Sequence, residues 1–230
     1  MLTLKRFIQR FPGSSIPSLV ETTDGQTLVL KMKGAGNGTQ SLAAEFLVNR
    51  SALRLGWPLP GAFPVLIPDG FPWEFGTDEF DDILQKSYGL NLGLQYLGDC
   101  EALSAEKMLA LPGDFLSQMA TLDAFFLNYD RLGASRNVLR DAQGAPWLID
   151  HGSCLFLDPD LSAKPLVLAP GHVLGAQAPI RPRAALRLGE QALLCAAEVP
   201  GPWLAELGLT TASVQEAIEA RLRAAAAAPL

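Results

Sequence analysis

The chain has 230 residues, is 49% apolar and only 18% charged, and carries a net charge of −6. That length and apolar content suffice for a sizeable buried core and exclude a disordered chain. The acidic balance argues against general affinity for nucleic acid. No apolar run is long enough for a membrane span. Met1-Leu-Thr-Leu-Lys-Arg-Phe7 has no apolar region behind it, so it does not read as a secretory signal. Cys100, Cys154 and Cys195 are odd in number and widely spaced, which fits neither a disulfide framework nor a zinc site. Reduced core cysteines in a cytoplasmic protein are the expectation. Two histidines, His151 and His172, exclude a His-rich metal site.

In chain order, Ile16-Pro-Ser-Leu-Val-Glu21 and Thr27-Leu-Val-Leu-Lys-Met-Lys33 read as strands joined by a turn at Thr23-Asp24-Gly25. Gly34-Ala-Gly-Asn-Gly-Thr39 is a flexible connection. Helical periodicity covers 40–55, with Leu42, Phe46 and Leu53 on its apolar positions, and Gly56 and Pro58 stop it. Residues 56–80 are rich in proline, glycine and aromatics. They include a short strand at Pro64-Val-Leu-Ile-Pro68 and a small core or lid from Phe71, Trp73, Phe75 and Phe80. Gly93-Leu-Gln-Tyr-Leu-Gly98 suggests another strand, and 104–128 reads as helix interrupted near Pro112-Gly113. Residues 137–150 form a second hairpin turning at Asp141-Ala-Gln-Gly144, and helices fit best from Ala185 onward. Strands first and helices later define an α+β fold.

The second hairpin gives the sharpest inference about chemistry. Its strands are antiparallel, so Asn137 at the start of one lies beside Asp150 at the end of the other. Asp130 precedes them on a loop. Two carboxylates and an amide oxygen converging there suit a hard cation such as Mg²⁺, which needs few protein ligands when phosphates supply the rest. In the first hairpin, alternation puts Val29, Lys31 and Lys33 on one face and Leu28, Leu30 and Met32 on the other. A lysine in so apolar a strand needs an anionic partner. Glu45, on the apolar stripe of the next helix, needs a cation. Lys31 with Glu45 satisfies both, and periodicity alone leaves Lys33 as an alternative to Lys31.

These residues resemble a known family. Leu28-Val-Leu-Lys31, Ala44-Glu45 and Leu55-Gly-Trp-Pro-Leu-Pro60 look like the small lobe of HipA-like kinases. Leu122-Asp-Ala-Phe-Phe-Leu-Asn-Tyr-Asp-Arg131, Arg136-Asn137-Val-Leu and Trp147-Leu-Ile-Asp-His-Gly152 look like that family's catalytic segment. The resemblance spans roughly residues 13–157 and is weak over 61–121. It implies a protein-kinase-like two-lobed fold, with a strand-rich N-lobe over about 1–95 and a reduced helical C-lobe over 96–230. It implies ATP- and Mg²⁺-dependent phosphoryl transfer to a protein Ser or Thr. Carried over residue by residue, Lys31 resembles the phosphate-holding lysine, oriented by Glu45, and Asp130 the catalytic Asp. Asn137 and Asp150 resemble the metal ligands. Gln95-Tyr96-Leu97 resembles the hinge that meets adenine, and Gly13-Ser14-Ser15 the phosphate-covering turn. Arg131 either holds the loop, balances phosphate charge or lies on the surface, and His151 is read as structural. The family also admits an antitoxin-like or regulatory protein partner and, as an alternative, an inactive nucleotide-binding pseudokinase.

Other motifs carry less. Gly34-Ala-Gly-Asn-Gly38 lacks the spacing and the downstream acid of a dinucleotide site. Neither a P-loop nor a G-x-S-x-G elbow occurs. The interval between Asp130 and Asn137 is long for a kinase catalytic loop, and no full G-x-G-x-x-G precedes Lys31.

Overall fold

A computed structural model describes residues 1–13, 15–72, 77–132 and 137–229. Ser14, Trp73, Phe75 and Arg136 therefore lie outside the described residues.

The first half is built on five strands: β1 (Leu2–Arg10), β2 (Ser18–Thr22), β3 (Thr27–Lys31), β4 (Ala62–Ile67) and β5 (Gly89–Gln95). They close into a barrel in the order β1-β2-β3-β5-β4, with β4 parallel to β1 and the other pairs antiparallel. Strand β1 is not evident in the sequence because its pairing with β2 slips twice, between Leu4 and Arg6 and between Phe7 and Gln9. These irregularities break the two-residue alternation, so Leu4 and Phe7, three apart, are both buried. The β2–β3 hairpin forms as expected around Gly25, whose φ of 85° suits glycine. Its second strand ends at Lys31 rather than Lys33.

Leu4, Phe7, Val20, Leu28, Leu30, Met32, Val65 and Ile67 fill the barrel. Helix α2 (Asp78–Gln85) adds Phe80 and Leu84 to this core, and Phe7 meets Phe71 and Phe80 edge to face at 5.9 and 5.2 Å. Phe71 and Phe80 are thus barrel core. The helix itself was hidden by the composition of its neighbourhood: its three apolar residues, Phe80, Ile83 and Leu84, sit among four acids. Gly93 on β5 faces the interior, where a Cβ would fall 2.6 Å from Val65 Cγ2 and 2.9 Å from Leu28 Cδ1.

A second, larger core gathers α1 (Gly38–Leu53), α3 (Ala105–Leu109), α4 (Gly113–Phe126), α6 (Pro182–Ala196), α7 (Gly201–Glu206) and α8 (Thr211–Ala226), with a short α5 (Pro159–Ser162) at its edge. The break near Pro112-Gly113 separates α3 from α4. Helix α4 is its centre, buried on almost every residue. Helix α1 falls within residues 1–95 but packs into this core, chiefly against α6. At the crossing of α6 and α8, Gly189 leaves no room for a Cβ beside Leu222 and Phe125. A small sheet of β6 (Cys100–Ala102), β7 (Val138–Asp141) and β8 (Pro146–Leu148) contains the second hairpin, with Val138 opposite Leu148. Cys154 and Cys195 are buried and Cys100 is half-buried, all as free thiols. Among the described residues, no helix is long and apolar enough to cross a membrane.

Candidate active site

Strand β3 delivers Lys31 and helix α1 delivers Glu45 to one point. Lys31 Nζ donates to Glu45 Oε2 at 2.6 Å and to Asp150 Oδ1 at 2.7 Å. The alternative is resolved by position: Lys33 turns instead to Glu206 at 3.3 Å. Burial would depress the Lys31 ammonium, but the Glu45 and Asp150 carboxylates outweigh it and hold its pKa above the ordinary lysine value. Burial lifts the pKa of the fully enclosed Glu45, which Lys31 offsets only in part. Glu45 Oε1 also accepts the His151 backbone N–H at 3.4 Å, so one carboxylate joins the lysine to the loop after β8. Asp150 is less enclosed, its side chain 44% exposed. Burial opposes its charge, but Lys31 prevails and lowers its pKa.

At the mouth of the β7–β8 hairpin the pairing sets Asn137 opposite Ile149, one residue before Asp150; Asp150 lines the cleft it shares with Lys31 and Asp130, and Asn137 is not among the residues lining it. Ile149 N–H donates to Asn137 O at 3.0 Å, and Asn137 Nδ2 donates to Asp130 Oδ2 at 3.3 Å. Both Asn137 (φ 52°) and Asp150 (φ 61°) hold left-handed backbone conformations. Asn and Asp are the non-glycine residues that adopt this region most readily, so both ends of the hairpin carry residue types suited to it.

Asp130 stands on the short link after α4. Leu127 ends that helix at φ 56°, and its last carbonyls, Ala124 O and Phe125 O, accept from the buried Arg221 at 2.9 and 2.7 Å. Arg221 Nη1 also donates to Lys164 O and Ser162 O. Asn128 Oδ1 then accepts Asp130 N–H at 3.0 Å. Arg131, adjacent, is wholly buried, so the surface reading of it is corrected. It donates from Nε to Asp123 Oδ2 at 2.6 Å, from Nη1 to Asn137 O at 2.8 Å, and from Nη2 to His151 Nε2 at 3.1 Å. Because a guanidinium only donates, His151 Nε2 accepts and its Nδ1–H faces Asn49 Oδ1 at 3.2 Å. Burial and the nearby Arg131 lower the His151 pKa from 6.5 to about 3, so the ring is neutral. The ring thus bonds the Arg131 and Asn49 side chains rather than the loop backbone.

Lys31, Glu45, Asp130 and Asp150 line one cleft of about 160 Å³ together with Ser15, Ala35, Gly36, Asn37, Ser41 and Gly152. Ser15 thus reaches the site from the β1–β2 turn, and the glycine-rich connection lines its wall with small side chains. A Cβ on Gly152 would come within 3.0 Å of Ser41 Cβ, so the loop after Asp150 lies directly on α1. Gln95, Tyr96 and Leu97 sit elsewhere, at the end of β5 and on the link to β6. Gln95 N–H donates to Gly61 O at 2.7 Å, and none of the three lines this cleft.

Sequence reasoning missed Asp123, Asn49 and His172. Asp123 is a fully buried acid: burial would raise its pKa, but Arg131 and His172 hold it well below the carboxylate range. Its isolation within Leu122-Asp-Ala-Phe-Phe-Leu127 was a legible signal that it needs a cationic partner. Asn49, one turn beyond Glu45, shared its face.

No family model matches the chain, and no curated protein matches it in sequence. Among solved structures, the proinflammatory kinase CtkA of Helicobacter pylori matches with a TM-score of 0.53 at 10% identity, over 97% of this chain and 95% of that one. The α+β fold described above is therefore kinase-like.

Proposed function

We propose that the chain is an ATP- and Mg²⁺-dependent phosphotransferase of the HipA-like type, with a barrel-based N-lobe, a helical C-lobe and a protein Ser or Thr as acceptor. The observation that carries this is the doubly paired Lys31, bonded to Glu45 and Asp150 in a cleft it shares with Asp130. Phosphoryl transfer needs positioned phosphates, neutralised charge and an aligned nucleophile rather than covalent help from the protein. Lys31, kept charged and oriented by Glu45, offers N–H donors to phosphate oxygens. Ser15 and the small residues of the wall leave room for those oxygens. Asp130 accepts the proton of the acceptor hydroxyl as its oxygen bonds to the γ-phosphorus and the bond to the β–γ bridging oxygen breaks.

The donor set fits Mg²⁺. Asp150 offers a hard carboxylate oxygen open to the cleft, and Asn137, opposite Ile149 across the hairpin, would add its amide oxygen. Among the described residues no group of three His, Cys, Asp or Glu side chains forms a metal site, so the ion's remaining ligands would be phosphate and water. When bound, Mg²⁺ supplies neutralisation of the phosphate charge.

Thermal unfolding with and without Mg-ATP tests the reading. At a hundredfold excess over Kd the native state gains about 2.7 kcal/mol, a rise of roughly 5–11 °C for a chain this long. Transfer from γ-labelled ATP, to the protein itself or to casein, completes the test. Asp130→Asn is expected to keep the thermal shift and abolish transfer; Asp150→Asn is expected to diminish the shift itself. A shift without transfer identifies a nucleotide-binding pseudokinase, and no shift refutes the nucleotide reading.

A further inference from the structure

His172 lies 42 positions beyond Asp130 and is assigned no role by the kinase-like motifs. It is nevertheless buried against the same polar network. Its Nε2–H donates to Asp123 Oδ2 at 2.9 Å, while its Nδ1 accepts Leu174 N–H at 3.1 Å. Each ring nitrogen thus has one partner, one distant and one local. The backbone around it is tied to the Asp130 loop as well. Val173 N–H donates to Arg131 O at 3.0 Å, and Leu132 and His172 form an isolated antiparallel bridge.

Asp123 is where these ties converge. It accepts from Asn128 at 2.8 Å through Oδ1, and from Arg131 and His172 through Oδ2. Asn128 in turn fixes Asp130 N–H, and Arg131 fixes Asn137 O and His151, the neighbour of Asp150. One buried carboxylate therefore sets three groups of the candidate site through two intermediaries. In a water-excluded setting such shared hydrogen bonds reinforce one another, and removing one loosens the others.

We infer that His172 is a positioning residue: by bonding Asp123 it locks the segment around 171–174 to the Asp130 loop and holds Asp130 and Asn137 in register. The inference rests on the kinase reading for its activity readout only. A small displacement of a reacting group costs rate steeply while leaving remote nucleotide contacts in place.

The two ring nitrogens allow the tether to be separated from the local turn. His172→Asn keeps an acceptor near the backbone for Leu174 N–H, as in an Asx turn, but is too short to reach Asp123. His172→Gln carries an amide N–H far enough to reach Asp123 and gives up the near acceptor. With turnover measured well below each variant's Tm, His172→Asn is expected to lower kcat about tenfold with KM for Mg-ATP little changed, and His172→Gln to stay near wild type. The reverse order, equal losses, or wild-type turnover in both variants overturns the inference.

A second measurement needs neither a variant nor activity. Native-state amide exchange of the unaltered protein should show Val173 and Asp130 N–H opening with the same free energy and the same denaturant dependence, as one cooperative unit. Independent opening of the two amides overturns the tether. Absence of a Mg-ATP thermal shift refutes the kinase reading and leaves this exchange result standing, so the two failures are distinguishable.

Discussion

Lys31→Met is the most informative single perturbation of the site. The substitution keeps an unbranched apolar stem and removes the ammonium, leaving Glu45 fully buried with, among the described residues, the His151 N–H at 3.4 Å as its hydrogen-bond donor. Asp150 loses the same partner but is exposed enough to be solvated. The cost therefore centres on Glu45, which escapes a buried, unpaired charge by taking up a proton. From an ordinary pKa of 4.5, protonation at pH 7 costs about 1.4 kcal/mol per pH unit over 2.5 units, or roughly 3.4 kcal/mol. That ceiling lies within the roughly 3–5 kcal/mol typical of breaking a buried ion pair from one side. The sign follows from linkage. In the variant the folded-state pKa of Glu45 rises beyond its already raised value, so stability is retained below pH 4.5 and lost as pH climbs. Urea unfolding should show a destabilisation of about 3 kcal/mol at pH 7 falling to below about 1 kcal/mol at pH 5. Adding Glu45→Gln should recover much of the loss at pH 7 and little at pH 4.5. A loss below about 1 kcal/mol at pH 7, unchanged between pH 5 and 7, would show that Lys31 does not sustain a buried Glu45 carboxylate and would refute the reasoning.

Other expectations are more local. His151 is held neutral, its pKa lowered from 6.5 to about 3. Its contribution is complete above pH 6.5 and declines by about 1.4 kcal/mol per pH unit as the pH falls toward 3. His151→Gln should remove that slope from the difference between the two stability–pH curves, and identical slopes would contradict the assignment. Gly93→Ala places a methyl 2.6 Å from Val65 Cγ2 inside the barrel; a loss of about 1–3 kcal/mol by denaturant unfolding is expected, and wild-type stability would show that the barrel yields there. The Asp130→Asn and Asp150→Asn pair should divide transfer from nucleotide binding as stated above.

Much of the candidate site was legible without coordinates, for reasons of local geometry. A tight antiparallel turn after Asp141 brings the start of one strand to the end of the other, so Asn137 was expected near Asp150; the register sets it opposite Ile149, one residue before. A lysine in an apolar strand and a glutamate on an apolar helical stripe each required a partner, and each is the other's. The barrel was less legible, because the slipped pairing of β1 erased the alternation that marks a strand, and because closure of β4 against β1 is a long-range event.

The chain sequence by itself determined the local pairings: two hairpins, the interrupted helix around Pro112, and the residue types that burial cannot leave unpaired. Only the tertiary structure decided which lysine enters the cleft, that Arg131 is buried, and that Asp123 joins a loop to a histidine 49 residues away. Hydrophobic periodicity reports which face of an element is dry. It carries no information on which distant polar group waits there, because that depends on how whole elements pack.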